Sequence, residues 1–494
     1  MTLGRRTFLR VAGVSALGAA AAACTAPAKA PGVTTPPPPS STAASASVAP
    51  PSGPPDWNAL RGKVSGGLVL PGDAGFEQAK HAFNPLFDAR KPAAVAHCAT
   101  PADVQACVTA AASRAPIAAR SGGHSYAGYS APDGGLVIDV GPMSSVDVRS
   151  DGTVVIGAGA RMKEIYAALA KAGRCLPAGS CPTVGIAGLT LGGGIGVLAR
   201  KYGLTCDHLV SAQIVTADGR LRTASADSEP ELFWALRGGG GGNFGVVTSF
   251  TFSTEPAPAL TVFSLHFPAG SSGDVLGGWQ RWIPAAQPEL WSNLVISGGS
   301  PTQCRVGGCF VGGSAALAPL LDDLVASSGV KPTSRTAKAE SYLGAMQYFS
   351  GSSSRQTFVA SSRIMSAPVA DTSGLAKVMS GRSGVDLLID GLGGAVGNPA
   401  PADTAFWHRK ALASVQVYSQ ATSGTADTAA KSVAEIVSGL AGLGVDGGYV
   451  NYIDPAMPDW MNAYYGENVK RLREVAKTYD PDKVFGFAQA ITPS

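Results

Sequence analysis

Residues 120–130, with the sequence RSGGHSYAGYS, combine side chains and backbone freedom suited to binding an anionic ligand. Gly122 and Gly123 let consecutive backbone N–H groups approach a ligand closely, and such groups form an anion-binding nest. Arg120 offers a charge-assisted contact to phosphate, and His124 follows the glycines with no bulky residue before it. The same composition is typical of an ordinary surface turn, so this segment alone leaves both interpretations open.

A second segment, residues 179–196, carries one cysteine, Cys181, among many glycines. The segment contains no charged residue, which favours backbone packed against a flat, uncharged group. The alternative is a glycine-rich structural turn in which the cysteine is a small buried apolar side chain.

Together the two segments resemble the berberine-bridge-enzyme-like FAD-linked oxidases of the vanillyl-alcohol-oxidase flavoprotein superfamily. Residues 120–126 match the family pattern R-S-G-G-H-S-Y, and residues 179–185 match G-x-C-P-T-V-G, followed by a triple glycine at 192–194. In bicovalent members the histidine binds the flavin 8α-methyl group and the cysteine binds flavin C6. The resemblance therefore implies bicovalent FAD, held by His124 and Cys181.

The resemblance also implies which other residues contact FAD. They lie in the two segments, in the strand that follows a run of five glycines, and in the C-terminal tail. The predicted set, besides His124 and Cys181, is Arg120, Ser121, Gly122, Gly123, Ser125, Gly128, Gly159, Gly179, Thr183, Val184, Gly185, Gly188, Gly192, Gly193, Gly196, Gly245, Val247, Tyr449 and Asn451.

The catalytic residues are predicted from the C-terminal motif Y-x-N-Y-x-D, which residues 449–454 match. By resemblance Tyr452 faces the substrate and is the expected base. A tyrosine begins near pKa ~10, so it needs a proton acceptor or a positive neighbour. Asp390 at the end of a predicted strand is the first candidate, and Asp386 on the same face is its rival. Tyr126 is expected to orient the substrate hydroxyl.

Three further positions bear on the chemistry. Ile195 stands where several bicovalent relatives carry a tyrosine, so a base that uses that site is lost. Val184 occupies the position where a small residue accompanies oxygen reactivity in the family, which favours an oxidase. His408 is either another candidate base or a hydrogen-bonded core residue.

These residues require an α+β fold. The resemblance implies a PCMH-type FAD-binding domain of two α/β subdomains over residues 57–257. Residues 258–445 form the expected substrate domain, in which strands and helices alternate as in an antiparallel sheet covered by helices. Residues 446–494 are the berberine-type segment that returns to the FAD domain. In the first domain, Thr100 with Pro101 predicts a helix start.

The N-terminus is predicted to be a targeting segment. Residues 1–24 carry the twin arginines Arg5 and Arg6 before a short apolar stretch. Cys24 follows three alanines, as in a lipobox that would leave it lipidated, and cleavage after Ala30 is the alternative. Residues 25–56 are rich in Pro, Ser and Thr and are expected to be a disordered linker.

Composition narrows the class of partner. The chain has 494 residues, 45% of them hydrophobic and 15% charged, which is typical of globular domains. A net charge of +4 without a basic block argues against nucleic acid. Among the eight cysteines, export would permit pairing of Cys98 with Cys107 and of Cys304 with Cys309. No cysteine cluster has metal-ligand spacing with histidine, so no metal is predicted.

The sequence therefore favours an exported enzyme that oxidises an alcohol, either a sugar hemiacetal or a secondary-metabolite hydroxyl, with O2 as acceptor. A flavin dehydrogenase with another acceptor or a C–N substrate is the second hypothesis. A surface-anchored binding lipoprotein with an inactive flavin site is the third. Neither the particular small-molecule substrate nor the oligomeric state follows from the sequence.

Overall fold

The computed structural model describes residues 53–494. The predicted signal segment, Cys24 and nearly all of the predicted linker lie outside these residues. The strands are β1 Leu68–Val69, β2 Ala94–His97, β3 Ile117–Arg120, β4 Leu136–Asp139, β5 Val146–Val148, β6 Thr153–Gly157, β7 Arg174–Cys175, β8 Leu209–Val215, β9 Leu221–Ser225, β10 Val246–Ser253, β11 Glu255–Pro256, β12 Leu260–His266, β13 Leu290–Ser297, β14 Gln303–Val311, β15 Ser334–Glu340, β16 Phe358–Met365, β17 Val385–Gly391 and β18 Ala413–Gln420.

The helices vary from a single turn to several turns. They are α1 Trp57–Arg61, α2 Phe76–Lys80, α3 Pro101–Ala111, α4 Met162–Lys171, α5 Ile186–Leu191, α6 Ala199–Tyr202, α7 Pro230–Ala235, α8 Ser272–Ala285, α9 Ser314–Ser328, α10 Tyr342–Tyr348, α11 Thr372–Met379, α12 Ala426–Ala441, α13 Trp460–Tyr465 and α14 Val469–Tyr479.

The first sheet has the order β1-β2-β4-β3, with β2 and β3 both parallel to β4. The connection from β2 to β3 runs through α3, whose predicted start is confirmed: Thr100 and Asp103 form a capping box. Strand β3 ends at Arg120. The first glycine motif therefore begins at the carboxyl end of a parallel strand, where open α/β sheets bind ligands.

The second sheet is antiparallel, with the order β5-β6-β10-β8-β9. The cysteine segment leaves β7, includes α5, and leads through α6 to β8. The five-glycine run lies between α7 and β10. Both of the other glycine-rich segments therefore lead into strands of the second sheet, namely β8 and β10.

The third sheet is antiparallel and seven-stranded, with the order β15-β12-β14-β13-β17-β18-β16. Helices α8, α9, α11 and α12 contribute Trp279, Leu321, Leu375 and Ile436 to the apolar core on one face of this sheet. The predicted antiparallel sheet covered by helices is confirmed, and with it the α+β class. The domain boundaries at 257 and 445 stay predictions.

Three strands and three helices of this region were not predicted from the sequence. They are β15, β16, β18, α10, α11 and α12. In β16 the buried residues Ser361, Ser362 and Arg363 interrupt the apolar pattern expected of a buried strand. Their partners come from distant segments, so the local pattern does not identify the strand.

Two buried arginines join the third sheet to the FAD side of the molecule. Arg409, with no exposed surface, makes a bidentate ion pair with Asp207 at 2.7 and 2.8 Å. Arg200 donates to the backbone oxygens of Leu290 at 2.7 Å and Ala286 at 2.9 Å, and also to Leu392. These contacts fix the sheet relative to the glycine-rich segments.

The structure corrects one predicted cysteine pairing. Cys304 and Cys309 both lie on β14, an odd number of residues apart, and therefore point to opposite faces of the sheet. Cys304 belongs to the core under the helices and Cys309 to the core of the FAD side, so they cannot form a hairpin disulfide. The sulfurs of Cys98 and Cys107 lie 3.8 Å apart as free thiols.

Residues 53–494 contain neither a candidate membrane-spanning helix nor a candidate metal site. None of their helices is long and apolar enough to cross a membrane. Within the same residues, no group of histidine, cysteine and acidic side chains is arranged to hold a metal ion.

We expect Arg409→Ala to lower the free energy of unfolding by ~3–5 kcal/mol, because Asp207 would keep a largely buried charge without its partner. Urea denaturation followed by tryptophan fluorescence measures this loss. Arg220→Ala is the matched control, since the Arg220–Asp218 pair is exposed and its loss should cost less than ~0.5 kcal/mol. Equal losses in the two variants would contradict the proposed role of Arg409.

Candidate active site and flavin cavity

A cavity of about 870 Å³ lies between the glycine-rich segments and the third sheet. One part is lined by the 120–126 loop, the cysteine segment, the five-glycine run and the start of β10. The other part is lined by side chains of β13, β14, β17 and β18 and by residues 449–453. A single cavity thus joins the predicted cofactor segments to the predicted catalytic residues.

The two motifs contact each other through their backbones. A Cβ atom on Gly122 would lie 2.4 Å from the Gly185 nitrogen, and one on Gly185 would lie 2.0 Å from Ser121 Oγ. Gly123 has φ 72°, a conformation that favours glycine. Glycine is therefore required on both sides of this contact, which brings His124 and Cys181 to the same wall.

The side chain of Arg120 is hydrogen-bonded within the protein. Its guanidinium donates to Ala79 O at 2.6 Å and to Asp139 Oδ2 at 3.0 Å. Burial raises the pKa of Asp139, but the hydrogen bond to His97 and the charge of Arg120 outweigh it and bring that pKa to about 2. The guanidinium therefore takes part in an internal ion pair that holds the loop, and the predicted contact with phosphate stays a prediction.

His124 is a neutral, oriented imidazole. Its ring stacks on Phe83, with centroids 3.8 Å apart, and its Nε2 lies 3.0 Å from Thr183 Oγ1. Burial, followed by the charge of Arg161, lowers the pKa of His124 to about 4. Cys181 Sγ lies 3.8 Å from the same Thr183 hydroxyl.

The cofactor part of the cavity has the shape that FAD requires. Gly188 lines the cavity, and a Cβ atom there would meet no protein atom within 4 Å. The buried Ser130 hydroxyl also lines the cavity and has no hydrogen-bond partner in the protein. Bare backbone, apolar walls and an unpaired polar group suit a long ligand with a flat ring system, and these residues fit FAD.

Of the predicted cofactor residues, most line this cavity. They are Arg120, Ser121, Gly122, Gly123, His124, Ser125, Gly179, Cys181, Val184, Gly185, Gly188, Gly196, Gly245, Val247, Tyr449 and Asn451. Thr183 does not line the cavity itself and instead lies behind His124 and Cys181.

Four predicted glycines serve packing rather than the cavity. A Cβ atom on Gly128 would meet the Phe87 ring at 2.5 Å, and one on Gly159 would lie 2.0 Å from Val140 O. Gly159 lines a second cavity of about 640 Å³, which shares Arg120, Ser121, Gly122 and Gly123 with the first.

The other two are Gly192 and Gly193. A Cβ atom on Gly192 would lie 2.1 Å from Asn451 Oδ1, and one on Gly193 would lie 2.8 Å from the Phe406 ring. In all four cases a side chain at this position would collide with a neighbouring protein group.

Tyr449 and Asn451 support the cysteine segment from behind. The Tyr449 hydroxyl accepts the N–H groups of Gly194 at 3.0 Å and Ile195 at 3.3 Å. Asn451 Nδ2 donates to Leu189 O at 2.9 Å and to the Tyr449 hydroxyl at 2.8 Å. The C-terminal tail therefore shapes the cavity wall through hydrogen bonds to backbone.

The predicted catalytic residues lie together on the substrate side. Tyr452 and Tyr126 stack with centroids 5.3 Å apart and an interplanar angle of 8°. Burial raises the pKa of both tyrosines well above the ordinary value. Asp390 lines the same cavity, and burial raises its pKa to about 6 against the opposing hydrogen bond from Asn293.

Asp386, the alternative proton acceptor, and His408, the alternative base, differ in position. Asp386 lies on the same face of β17 and also lines the cavity, where it accepts a hydrogen bond from Ser297 Oγ at 2.6 Å. His408 does not line the cavity; its buried Nε2 has no partner, and burial lowers its pKa to about 4. His408 is a core histidine beside the 447–448 turn.

Sequence reasoning missed several cavity residues of the third sheet. Gln416 Nε2 donates to the Tyr126 hydroxyl at 2.5 Å. Trp291 Nε1 and Asn293 Oδ1 are buried in the cavity wall without partners. The alternation of side chains along β13 could have placed Trp291 and Asn293 on one face of that strand. Gln416 could not be found in this way, because β18 was not predicted as a strand.

The chain matches two family models. The model described as "FAD binding domain" matches residues 92–225, and the model described as "Berberine and berberine like" matches residues 448–492. The first covers the two glycine motifs, and the second covers the tail that carries Tyr452. The fold and the cavity thus define a flavoprotein oxidoreductase that binds FAD.

Similar proteins specify the family. The FAD-linked oxidoreductase YgaK of Bacillus subtilis is 35% identical over 87% of this chain and 98% of its own length. The chitooligosaccharide oxidase of Gibberella zeae is 33% identical over 82% of this chain and 88% of its own. The chain belongs to the berberine-bridge-enzyme-like FAD-linked oxidoreductases.

Solved structures agree. BBE-like 1 of Physcomitrella patens superimposes with a TM-score of 0.83 at 29% identity, over 88% of this chain and 99% of its own. Glucooligosaccharide oxidase of Acremonium strictum, an enzyme with 6-S-cysteinyl, 8α-N1-histidyl FAD, superimposes with a TM-score of 0.79 at 26% identity. That match covers 86% of this chain and 97% of its own.

We expect Gly188→Phe to lower the FAD content at least about tenfold, equivalent to ~1.4 kcal/mol of binding, because the ring would occupy the cavity. Flavin absorbance per protein measures the loss. Gly188→Ala is the control: it adds one methyl group, favours α5, and should retain most of the FAD. Full flavin content in Gly188→Phe would show that FAD does not pass this point.

Proposed function

We propose that the protein is an exported FAD-dependent oxidase that takes hydride from an alcohol carbon and passes the electrons to O2. The observation that carries the proposal is the grouping of Tyr452, Asp390 and Tyr126 in the cavity that also contains the glycine-lined flavin wall. When bound, FAD supplies the hydride acceptor. The remaining chemistry is proton removal and substrate orientation by the protein.

Tyr452 is the base that we propose for the substrate hydroxyl. A neutral tyrosine in a buried environment cannot take a proton unless its own proton leaves. Asp390 is suited to receive that proton, because a carboxyl group with a pKa of about 6 is largely ionised at neutral pH yet still basic. Tyr126, oriented by Gln416, offers a second hydroxyl for aligning the substrate.

The proposed substrate is a carbohydrate hemiacetal, oxidised to a lactone. Support comes from the names of similar proteins: a chitooligosaccharide oxidase, a xylooligosaccharide oxidase and a carbohydrate oxidase. The cavity wall adds Trp291, Asn293, Arg305 and Tyr418, a mixture of aromatic and polar groups. Such a wall suits a ring with several hydroxyl groups.

We also propose that FAD is bound through both His124 and Cys181. A neutral imidazole has a free lone pair, and His124 is neutral across the physiological pH range. Both side chains line the cavity wall. The glucooligosaccharide oxidase with cysteinyl and histidyl links supports this proposal by analogy.

Export by the twin-arginine route remains part of the proposal and rests on residues 1–24 of the sequence. This route carries folded proteins, which suits an enzyme that binds FAD before it leaves the cytoplasm. Lipidation at Cys24 and cleavage after Ala30 remain the two alternatives for the mature N-terminus.

The first test is the visible spectrum and intact mass of the purified protein, before and after acid denaturation. We expect yellow colour to stay with the precipitated chain, with the mass of one added FAD. Each of His124→Ala and Cys181→Ala should still hold flavin covalently, and the double variant should release it. Free flavin from the wild-type protein would refute the covalent links but keep the enzyme class.

The second test is oxygen uptake with peroxide release on chito-, xylo- and gluco-oligosaccharides. We expect turnover with at least one sugar and conversion of its reducing end to a lactone. Reduction of an artificial dye without oxygen uptake would instead identify a dehydrogenase. A colourless, FAD-free protein under all expression conditions would favour the binding lipoprotein.

The third test is the pH dependence of kcat for Asp390→Asn. Because the pKa of Asp390 is about 6, its carboxylate forms as pH rises through 6. The wild-type rate should therefore climb between pH 5 and 7. In Asp390→Asn this limb should vanish and kcat should fall by about 10²-fold or more. Asp386→Asn is the control, and loss of the limb in that variant instead would reassign the proton acceptor.

A further inference from the structure

One hydroxyl group lies between the two predicted flavin anchors, His124 and Cys181. Thr183 Oγ1 is 3.0 Å from His124 Nε2 and 3.8 Å from Cys181 Sγ. Thr183 is 59 positions from His124 in the chain, so tertiary packing alone brings the two side chains together. Thr183 is not among the residues that line the cavity.

The contact engages Nε2 of His124 with a hydroxyl group that is able to accept its proton. A neutral imidazole has one N–H donor and one acceptor nitrogen, and the partner of one nitrogen sets the role of the other. With Nε2–H donated to Thr183, the lone pair belongs to Nδ1. Within residues 53–494 no hydrogen bond engages His124 Nδ1, and His124 lines the cavity. Nδ1 is therefore the nitrogen available to a ligand.

Backbone contacts hold the Thr183 hydroxyl in place. The two flanking residues, Pro182 and Val184, are hydrogen-bonded to the start of α4. Lys163 N donates to Pro182 O at 3.1 Å, and Met162 N donates to Val184 O at 3.0 Å. The Gly122 position packs against Thr183 O, where a Cβ atom would lie 2.8 Å away. Since both flanks are fixed, the hydroxyl is pre-oriented toward the anchors.

We infer that Thr183 is a positioning residue for flavin attachment: its hydroxyl accepts the Nε2–H of His124 and contacts the Cys181 thiol, so that one group prepares both anchors. The inference rests on the proposed bicovalent FAD. It adds a residue that contacts both anchors and does not itself line the cavity.

The chemistry balances with O2 as oxidant. In the histidyl link, Nδ1 forms a bond to the 8α carbon, which loses one hydrogen as a proton. The Nε2 proton, already shared with Thr183, leaves the ring and restores a neutral imidazole. In the cysteinyl link, sulfur forms a bond to C6, and the thiol and C6 protons leave. Each link releases two electrons and two protons, which reduce one O2 to hydrogen peroxide.

The test isolates each link in a background that lacks the other. Cys181→Ala leaves only the histidyl link, and His124→Ala leaves only the cysteinyl link. In each background Thr183→Val, which keeps the shape and removes the hydroxyl, is compared with Thr183→Ser, which restores it. Intact mass over time in excess FAD gives the rate of attachment, and total flavin after desalting gives noncovalent binding.

We expect Thr183→Val to slow histidyl attachment by about 100-fold, the lower end of what a positioned proton acceptor contributes, and to slow cysteinyl attachment as well. Thr183→Ser should restore both rates, and total flavin should be unchanged. Thr190→Val is the matched control, because Thr190 is a fully buried threonine on α5 whose hydroxyl has no partner. It should attach flavin at the wild-type rate.

Full attachment rates in Thr183→Val in both backgrounds would overturn the inference. Slowing that Thr183→Ser does not rescue would also overturn it, since the hydroxyl would then not be the cause. If Thr183→Val loses noncovalent FAD as well, Thr183→Ala, which only removes atoms, replaces it in the same comparison. Absence of covalent flavin in the wild-type protein would instead refute the proposed function on which the inference rests.

Discussion

The site depends on the backbone contact between the loop after β3 and the cysteine segment. Gly122 and Gly185 lie so close that a Cβ atom on either would collide with the other segment. Ser121 Oγ adds a hydrogen bond to Ala158 O at 2.6 Å, which ties the same loop to the end of β6. This contact forms one continuous wall from segments of two different sheets. His124, Cys181 and Thr183 meet there because of it, and the flavin part of the cavity takes its shape from it.

A second constraint is the attachment of the third sheet to that wall. Arg409 and Arg200 are buried where the sheet meets the FAD side, and each crosses the boundary with several hydrogen bonds. A buried guanidinium is costly unless its donors are satisfied, so these contacts tolerate little displacement. The polar face of the sheet, with Asp390 and Gln416, is consequently held at a fixed distance from the wall.

Burial acts on the ionisable groups of the cavity in one direction, toward the neutral form. It lowers the pKa of His124, raises that of Asp390 to about 6, and raises those of Tyr126 and Tyr452. The ion pair of Arg120 with Asp139 has a structural role in the loop. Besides the side chains of Arg305 and Asp386, the cavity wall contains one carboxyl group, that of Asp390, whose pKa lies near neutral pH.

The sequence by itself determined the family, the FAD-binding class, the α+β architecture and the start of α3, because these follow from contiguous motifs and local capping. It also identified Tyr452, Tyr126 and Asp390 as residues that turn out to share a cavity. Only the tertiary structure decided that Arg120 pairs with Asp139, that Gly128, Gly159, Gly192 and Gly193 make room for protein neighbours, and that Gln416 orients Tyr126. It alone placed Thr183 between two anchors. The physical reason is the same in each case: these roles depend on which side chains from distant segments fill a given space, and no local pattern records that.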